Sequence, residues 1–219
     1  DGRVSCMTVA TQRPGGFTEA DIVLLERVAS IVAFRLELRS VQHALESLLN
    51  TYLGPNAAKR VLRGGFRRGT GETMLAAIWY CDMRGFTALS DRLPAREVVA
   101  LLDRFFEPIA AAVESAGGEI LKFIGDAALA VFPVENDDQV AACARALRAA
   151  DEARRGVAAL NALHQPGIAP VEMGVALHLG DVLYGNIGGR QRLDFTVIGA
   201  AVNEAVRLES LSKPLGVPL

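Results

Sequence analysis

Apolar residues recur at helical spacing across the first quarter of the chain. Ile22, Leu25, Ala29, Val32 and Leu36 are followed by Leu38, Val41, Leu45, Leu48 and Tyr52 in a shifted phase. Steps of three and four without an internal Gly or Pro predict one long helix over Glu19–Tyr52, with Thr18 as its N-cap and Asp21 as an acidic group in its first turn. The stripe is heptad-like, the pattern of a helix that pairs with a copy of itself. A single amphipathic helix packed on its own domain is the alternative. Ahead of it, Val4–Ala10 reads as a short strand and Pro14-Gly15-Gly16 as a turn.

Gly54-Pro55 ends the long helix, a short helix is expected over Ala57–Leu62, and a Gly/Arg-rich loop, Arg63–Gly71, marks a boundary. Beyond it the periodicity alternates. Met74–Cys81 is an apolar strand. Ala95–Ser115 is a helix with Val98, Leu101, Leu102, Phe105, Ile109 and Val113 on one face, stopped by Gly117-Gly118. Glu119–Ile124 and Ala127–Phe132 form a hairpin around Gly125-Asp126. An Ala-rich helix covers Gln139–Leu160. Val171–His178 and Asp181–Ile187 read as a second hairpin, Leu193–Ile198 as a short strand and Ala200–Ser210 as a helix. The order β-α-ββ-α-β predicts an α+β domain, a mostly antiparallel sheet with helices on one face.

Composition narrows the function classes. The chain has 219 residues, half of them hydrophobic, with 23 Lys+Arg against 25 Asp+Glu. No basic stripe marks a nucleic-acid surface. Cys6, Cys81 and Cys143 lie far apart, without the spacing of a disulfide framework or a zinc site. No run approaches about 18 apolar residues, so no membrane span is expected. The opening Asp-Gly-Arg is not a secretory leader, and the missing initial Met points to a fragment. The expected compartment is the cytoplasm.

The candidate chemistry lies at strand ends. Asp82 follows the apolar run Leu75–Cys81, and Asp126 sits in the turn of the first hairpin. Each alone is an ordinary turn residue. Together, beside glycines and on two buried strands, they are two convergent carboxylates suited to Mg²⁺ or Mn²⁺, which take oxygen ligands and share them with phosphates. The loop Arg84-Gly85-Phe86-Thr87 can offer backbone N–H groups to a polyphosphate.

Three segments carry a resemblance: Tyr80-Cys-Asp-Met-Arg-Gly-Phe-Thr87, Leu121-Lys-Phe-Ile-Gly-Asp126 and Val197-Ile-Gly-Ala-Ala-Val-Asn-Glu-Ala-Val-Arg-Leu-Glu209. In that order they resemble the class III adenylate/guanylate cyclases, over about Thr73 to Glu209. The resemblance implies the ferredoxin-like βαββαβ palm of the nucleotide cyclase fold, here behind an N-terminal strand and a long coiled-coil-like helix. It implies an adenylate cyclase that converts ATP to 3′,5′-cyclic AMP with two Mg²⁺ or Mn²⁺ ions per site. Asp82, Asp126 and the backbone carbonyl of Met83 match the metal ligands. Phe86 and Thr87 match the triphosphate loop. Lys122 matches the base-selecting position, with Thr196 and Ile198 as further substrate contacts; a Lys donor suits adenine N1 and opposes the N1–H of guanine. Asn203 and Arg207, four residues apart and so on one helix face, match the pair that orients the ribose and stabilises the transition state. The family's sites are shared across a homodimer, so these two would serve the partner's site.

Three departures accompany the match. Thr196 stands where Asp is usual, as in the Lys/Thr subgroup. Gly174 stands where many members carry a basic residue. The chain ends at Leu219, ahead of the segment that normally supplies a triphosphate-binding Lys. Residues 1–36 resemble the end of a GAF-like sensor domain, 37–71 a signalling helix and linker, and 72–219 the catalytic domain. A guanylate cyclase, a catalytically weak module acting in dimerisation or sensing, and a diguanylate cyclase are the competing readings. Lys122, the intact set of site residues, and a hairpin turn without the Gly-Gly-Asp/Glu-Glu-Phe signature respectively disfavour them.

Overall fold

Helix α1 runs from Glu19 to Leu53, one residue past its expected end. Its first turn is closed reciprocally. The Asp21 N–H donates to Thr18 Oγ1 at 3.2 Å, and the Thr18 N–H donates to the Asp21 carboxylate at 2.9 Å. This is a capping box with Asp in the place of Glu. Ile22, Leu36, Leu38, Val41, Leu45 and Leu48 of the stripe are exposed.

The computed structural model describes residues 6–65, 67–162 and 170–216. They fall into two compact units, Asp1–Leu49 and Asn50–Leu219. The strand expected over Val4–Ala10 is not formed: residues 6–10 enter no sheet ladder, and Val4 and Ser5 lie outside the described residues. An extended segment becomes a strand only where a neighbour satisfies its backbone groups. Among the described residues of that unit there is no second β segment.

In the second unit the last turn of α1 is followed by helix α2 (Pro55–Leu62), which has Pro at its first turn, where a missing N–H costs nothing. Strand β1 (Gly71–Met83), helix α3 (Phe86–Ser90), helix α4 (Ala95–Ser115), strands β2 (Glu119–Ile124) and β3 (Ala127–Pro133), helix α5 (Gln139–Ala162), strands β4 (Met173–Gly188) and β5 (Leu193–Ile198), and helix α6 (Ala200–Leu215) follow. The sheet order is β2-β3-β1-β4-β5, and every neighbouring pair is antiparallel. This is the βαββαβ palm with β5 added at one edge.

The core has two layers, because β1 is buried on both faces. Ala77, Trp79, Cys81 and Met83 pack with Phe105 and Ile109 of α4 and with Ala146, Ala150 and Ala153 of α5. Ala76 and Ile78 face the other way, with Ala57 of α2, Phe195 and Val197 of β5, and Ala201 and Ala205 of α6. Helices therefore cover both faces rather than one. An unbroken apolar strand such as Leu75–Cys81 needs this, since alternate residues point to opposite sides.

The second expected hairpin is also corrected. Residues 173–188 form one continuous strand, paired with β1 from Met83↔Met173 to Gly71↔Gly185. Gly180 is not a turn residue. It pairs with Ala76 inside the ladder, and a Cβ there would stand 2.7 Å from the Cβ of Ala201. The glycine lets the start of α6 lie directly on the strand.

Gly180→Val should therefore lift α6 off the sheet and lower the unfolding free energy by about 1–3 kcal/mol, the usual cost of overpacking. The readout is a lower urea midpoint at unchanged slope. An unchanged midpoint would show that α6 does not depend on this contact.

Candidate active site

Strand β1 delivers Asp82 to its C-terminal end, paired with Ala127 of β3 on one side and Gly174 of β4 on the other. Ala127 directly follows the β2–β3 turn, so the turn residue Asp126 lies beside Asp82. The Met83 N–H donates to the Asp126 carbonyl at 3.3 Å. Gly125 makes this turn at φ +63°, which a side chain would resist. Burial, and then the charge of Asp82, push the Asp126 carboxyl above its ordinary value. Burial and the same charge push the Tyr80 hydroxyl up to about 12.

A second group of charges adjoins this pair, and sequence reasoning missed it. Lys213 Nζ lies 3.0 Å from Asp82 Oδ1 and 3.6 Å from the Glu209 carboxylate. Arg84 contacts Glu209 at 3.0 Å and donates to Ser212 Oγ at 2.6 Å. Glu209 is 1% exposed. Burial, then the charge of Asp82, hold its carboxyl above the ordinary value, opposed by Lys213 and Arg84. Burial lowers the Lys213 ammonium pKa, but the hydrogen bond and charge of Asp82 and the charge of Glu209 outweigh it, and the net shift is upward. Gly174 makes this packing feasible, since a Cβ there would lie 2.3 Å from an Arg84 guanidinium nitrogen and 2.6 Å from Glu209 Oε1. One sequence signal could have found Glu209. It continues the buried stripe Ala201, Ala205, Glu209, Ser212 of α6, and a carboxylate on a buried stripe demands a partner.

Lys122 of β2 forms an ion pair and hydrogen bond with Asp194 of β5. These are the two edge strands of the sheet, so the sheet coils enough for its edges to meet. The buried Tyr184 hydroxyl, donating to Glu119 at 2.8 Å, spans the same concavity. Thr196 is buried, and its Oγ1 has no hydrogen-bond partner among the described residues. Ile198 is half exposed at the end of β5.

The loop expected at Arg84–Thr87 winds at once into α3, entered through Gly85 at φ +70°. Phe86 packs against the core and Thr87 is exposed. Asn203 and Arg207 are exposed together on α6, and among the described residues neither is hydrogen-bonded or ion-paired to Asp82, Asp126 or Lys122. One chain thus assembles the carboxylates and, separately, Lys122 with Thr196's strand, while Asn203 and Arg207 bond to neither among the described residues.

Among the described residues no cluster of three or more His, Cys, Asp or Glu is arranged to hold a metal. The Asp82–Asp126 pair nonetheless fits a hard divalent cation. The charge of Asp82 disfavours ionisation of Asp126, and a cationic group, Lys213, already sits on Asp82. Two carboxylates and a carbonyl leave positions for water and phosphate, as Mg²⁺ prefers.

The sequence profile described as the adenylate and guanylate cyclase catalytic domain matches residues 71–219. An adenylate cyclase of Anabaena cylindrica is 33% identical over 148 residues, covering 68% of this chain and 29% of that protein. The chain thus spans less than a third of the length of this curated relative. A bacterial light-regulated adenylyl cyclase superposes with a TM-score of 0.69 at 26% identity, over 85% of this chain and 54% of that one. The guanylyl cyclase Cya2 superposes with a TM-score of 0.52 at 35% identity, over 64% and 72% of the respective chains.

The raised Asp126 pKa gives a prediction. A carboxyl held above its ordinary value contributes stability that is full at low pH and lost as the pH rises through its folded-state value. Asp126→Asn removes that loss. At pH 7 without metal the variant should melt above the parent by a few degrees, at about 2–4 °C per kcal/mol for a domain of this size. The gap should close as the pH falls toward the ordinary Asp value of 3.8. A variant melting at or below the parent at pH 7 would remove a carboxylate disfavoured by burial and by the charge of Asp82 from the description of the site.

Proposed function

The chain belongs to the adenylate and guanylate cyclase catalytic-domain family, and on that premise we propose that it converts ATP to 3′,5′-cyclic AMP and diphosphate in signal transduction. The observation that carries this reading is the meeting of Asp82 and Asp126 at the ends of two hydrogen-bonded strands. With the Met83 carbonyl they would hold two Mg²⁺ or Mn²⁺ ions, which would supply charge neutralisation on the phosphates and a more acidic 3′-hydroxyl. Phe86 and Thr87 receive the triphosphate at the start of α3.

The base is read where the two edge strands of the sheet meet. The Lys122 ammonium donates to adenine N1, and Asp194 holds it at the edge of the sheet. The buried Thr196 hydroxyl, without a partner among the described residues, is available to the exocyclic amino group, and Ile198 supplies an apolar contact. A second reading keeps the site and changes the base. GTP is favoured by the 35% identity to a guanylyl cyclase and disfavoured by Lys122.

Asn203 and Arg207 act from a second copy of the chain. Their exposure on α6, with no bond to the carboxylates among the described residues, supports a site completed across a homodimer, as does the exposed apolar stripe of α1. Asn203 orients the ribose. Arg207 binds the charge that grows on the phosphoryl oxygens as the 3′-oxygen attacks the α-phosphorus and diphosphate departs. No described helix is long and apolar enough to cross a membrane, and we place the site in the cytoplasm, with residues 1–36 as the end of a sensor domain, 37–71 as the signalling helix and 72–219 as the catalytic domain.

Incubation of the full-length protein with Mn²⁺ and ATP or GTP should yield cyclic AMP as the main product. Cyclic GMP as the main product, or a linear dinucleotide, overturns the assignment. Asp82→Ala should abolish turnover while leaving the melting transition intact, and Arg207→Ala should cost about 10²–10³ in rate, the usual loss of one transition-state donor. Mixing these two variants should raise activity well above either alone, through one intact site per heterodimer. Absence of rescue in mixtures shown to form heterodimers counts against shared sites.

A further inference from the structure

We propose that Lys213 is a substrate-binding residue of this site: its ammonium rests on Asp82 until a divalent cation displaces it, and then binds the polyphosphate of the nucleotide. The proposal rests on the cyclase reading above, but its argument comes from the charges around Asp82. Lys213 is one of three lysines in the chain, with Lys59 and Lys122, and it is the one that reaches a metal-site carboxylate, at 3.0 Å. The two cations beside Asp82 are held differently. Arg84 is fixed between Glu209 and Ser212, in the space left by the missing side chain of Gly174. Lys213 is 45% exposed on a flexible stem in the last turn of α6, and both of its ion-pair partners are carboxylates of this cluster.

A divalent cation on Asp82 competes for the oxygen that Lys213 contacts and repels the ammonium. Glu209 does not compensate, because Arg84 already neutralises it at 3.0 Å while Lys213 stands off at 3.6 Å. The strongest remaining anion within reach of a released Lys213 is the phosphate chain carried by the same cation. The segment from Glu172 to Gly180 contains no Lys or Arg that could serve instead. A cation near a helix C-terminus also favours the helix dipole, but that role alone predicts an effect on stability and none on ligands.

The test measures two affinities that move in opposite directions. In Lys213→Gln, Mn²⁺ binding followed by electron paramagnetic resonance without nucleotide should tighten by about tenfold, the scale on which a neighbouring opposite charge competes for a carboxylate. Binding of 3′-deoxy-ATP with metal present should weaken by about tenfold, the scale of one charge-assisted hydrogen bond. In turnover the loss should fall on KM rather than kcat. Lys213→Arg should restore nucleotide binding and the weaker Mn²⁺ affinity. Mn²⁺ affinity equal in Lys213→Gln and the parent, with Asp82→Asn still abolishing binding, overturns the role of Lys213 and leaves the metal site standing. Shifts of the same sign, or a change in melting temperature alone, also overturn it. Absence of Asp82-dependent Mn²⁺ binding in every variant overturns both the metal reading and the proposal.

Discussion

Strand β1 is hydrogen-bonded on both sides, and the placement of the site depends on that double pairing. Its residues alternate between two buried layers, Trp79 toward α4 and α5 and Ile78 toward α6. A slip of one residue against either neighbour would exchange the two faces, which burial on both sides forbids. The same register fixes where the strand ends. At Met83 three chain segments converge: the turn before β3, the start of β4 and the loop into α3. Asp82 is the last side chain but one before the chain leaves the sheet, and its position is set by packing some distance away.

Much of this was legible in the sequence, and the failures have physical causes. Helix α4 and strands β2 and β5 have the expected bounds because local signals delimit them: Gly117-Gly118 after α4, Gly125-Asp126 after β2, Gly199 before α6. The break expected near Gly180 failed because glycine serves two purposes, turning and close approach, and only the tertiary neighbour, Ala201, tells them apart. The second helical layer was missed although the unbroken run Leu75–Cys81 already implied a strand covered on both faces. In the site, Asp82 and Asp126 were readable because strand-end and turn positions are local properties. Arg84, Asp194, Glu209 and Lys213 were not, because their roles arise only when α6 and β5 fold back against β1 and β2. Glu209 alone left a trace, as a carboxylate in phase with a buried alanine stripe.

Helix α6 links the two kinds of chemistry. Its outward face carries Asn203 and Arg207, while its inward face and last turn carry Glu209, Ser212 and Lys213. In the dimer proposed above, one helix would serve two sites, its own through the charge cluster and the partner's through the exposed pair. It is seated at its start by contact with Gly180 and near its end by the Arg84 bracket.

Gly174 has a further consequence. It has no side chain with which to bind, orient or transfer anything, yet the guanidinium of Arg84 and the carboxylate of Glu209 fill the volume a side chain would take. A mutational scan scored on activity would rank position 174 with the catalytic residues. A chemist looking for a functional group would find none there, because the position contributes unfilled space to the site. Inherited variation at such a position would read as loss of an enzyme without loss of any reactive group.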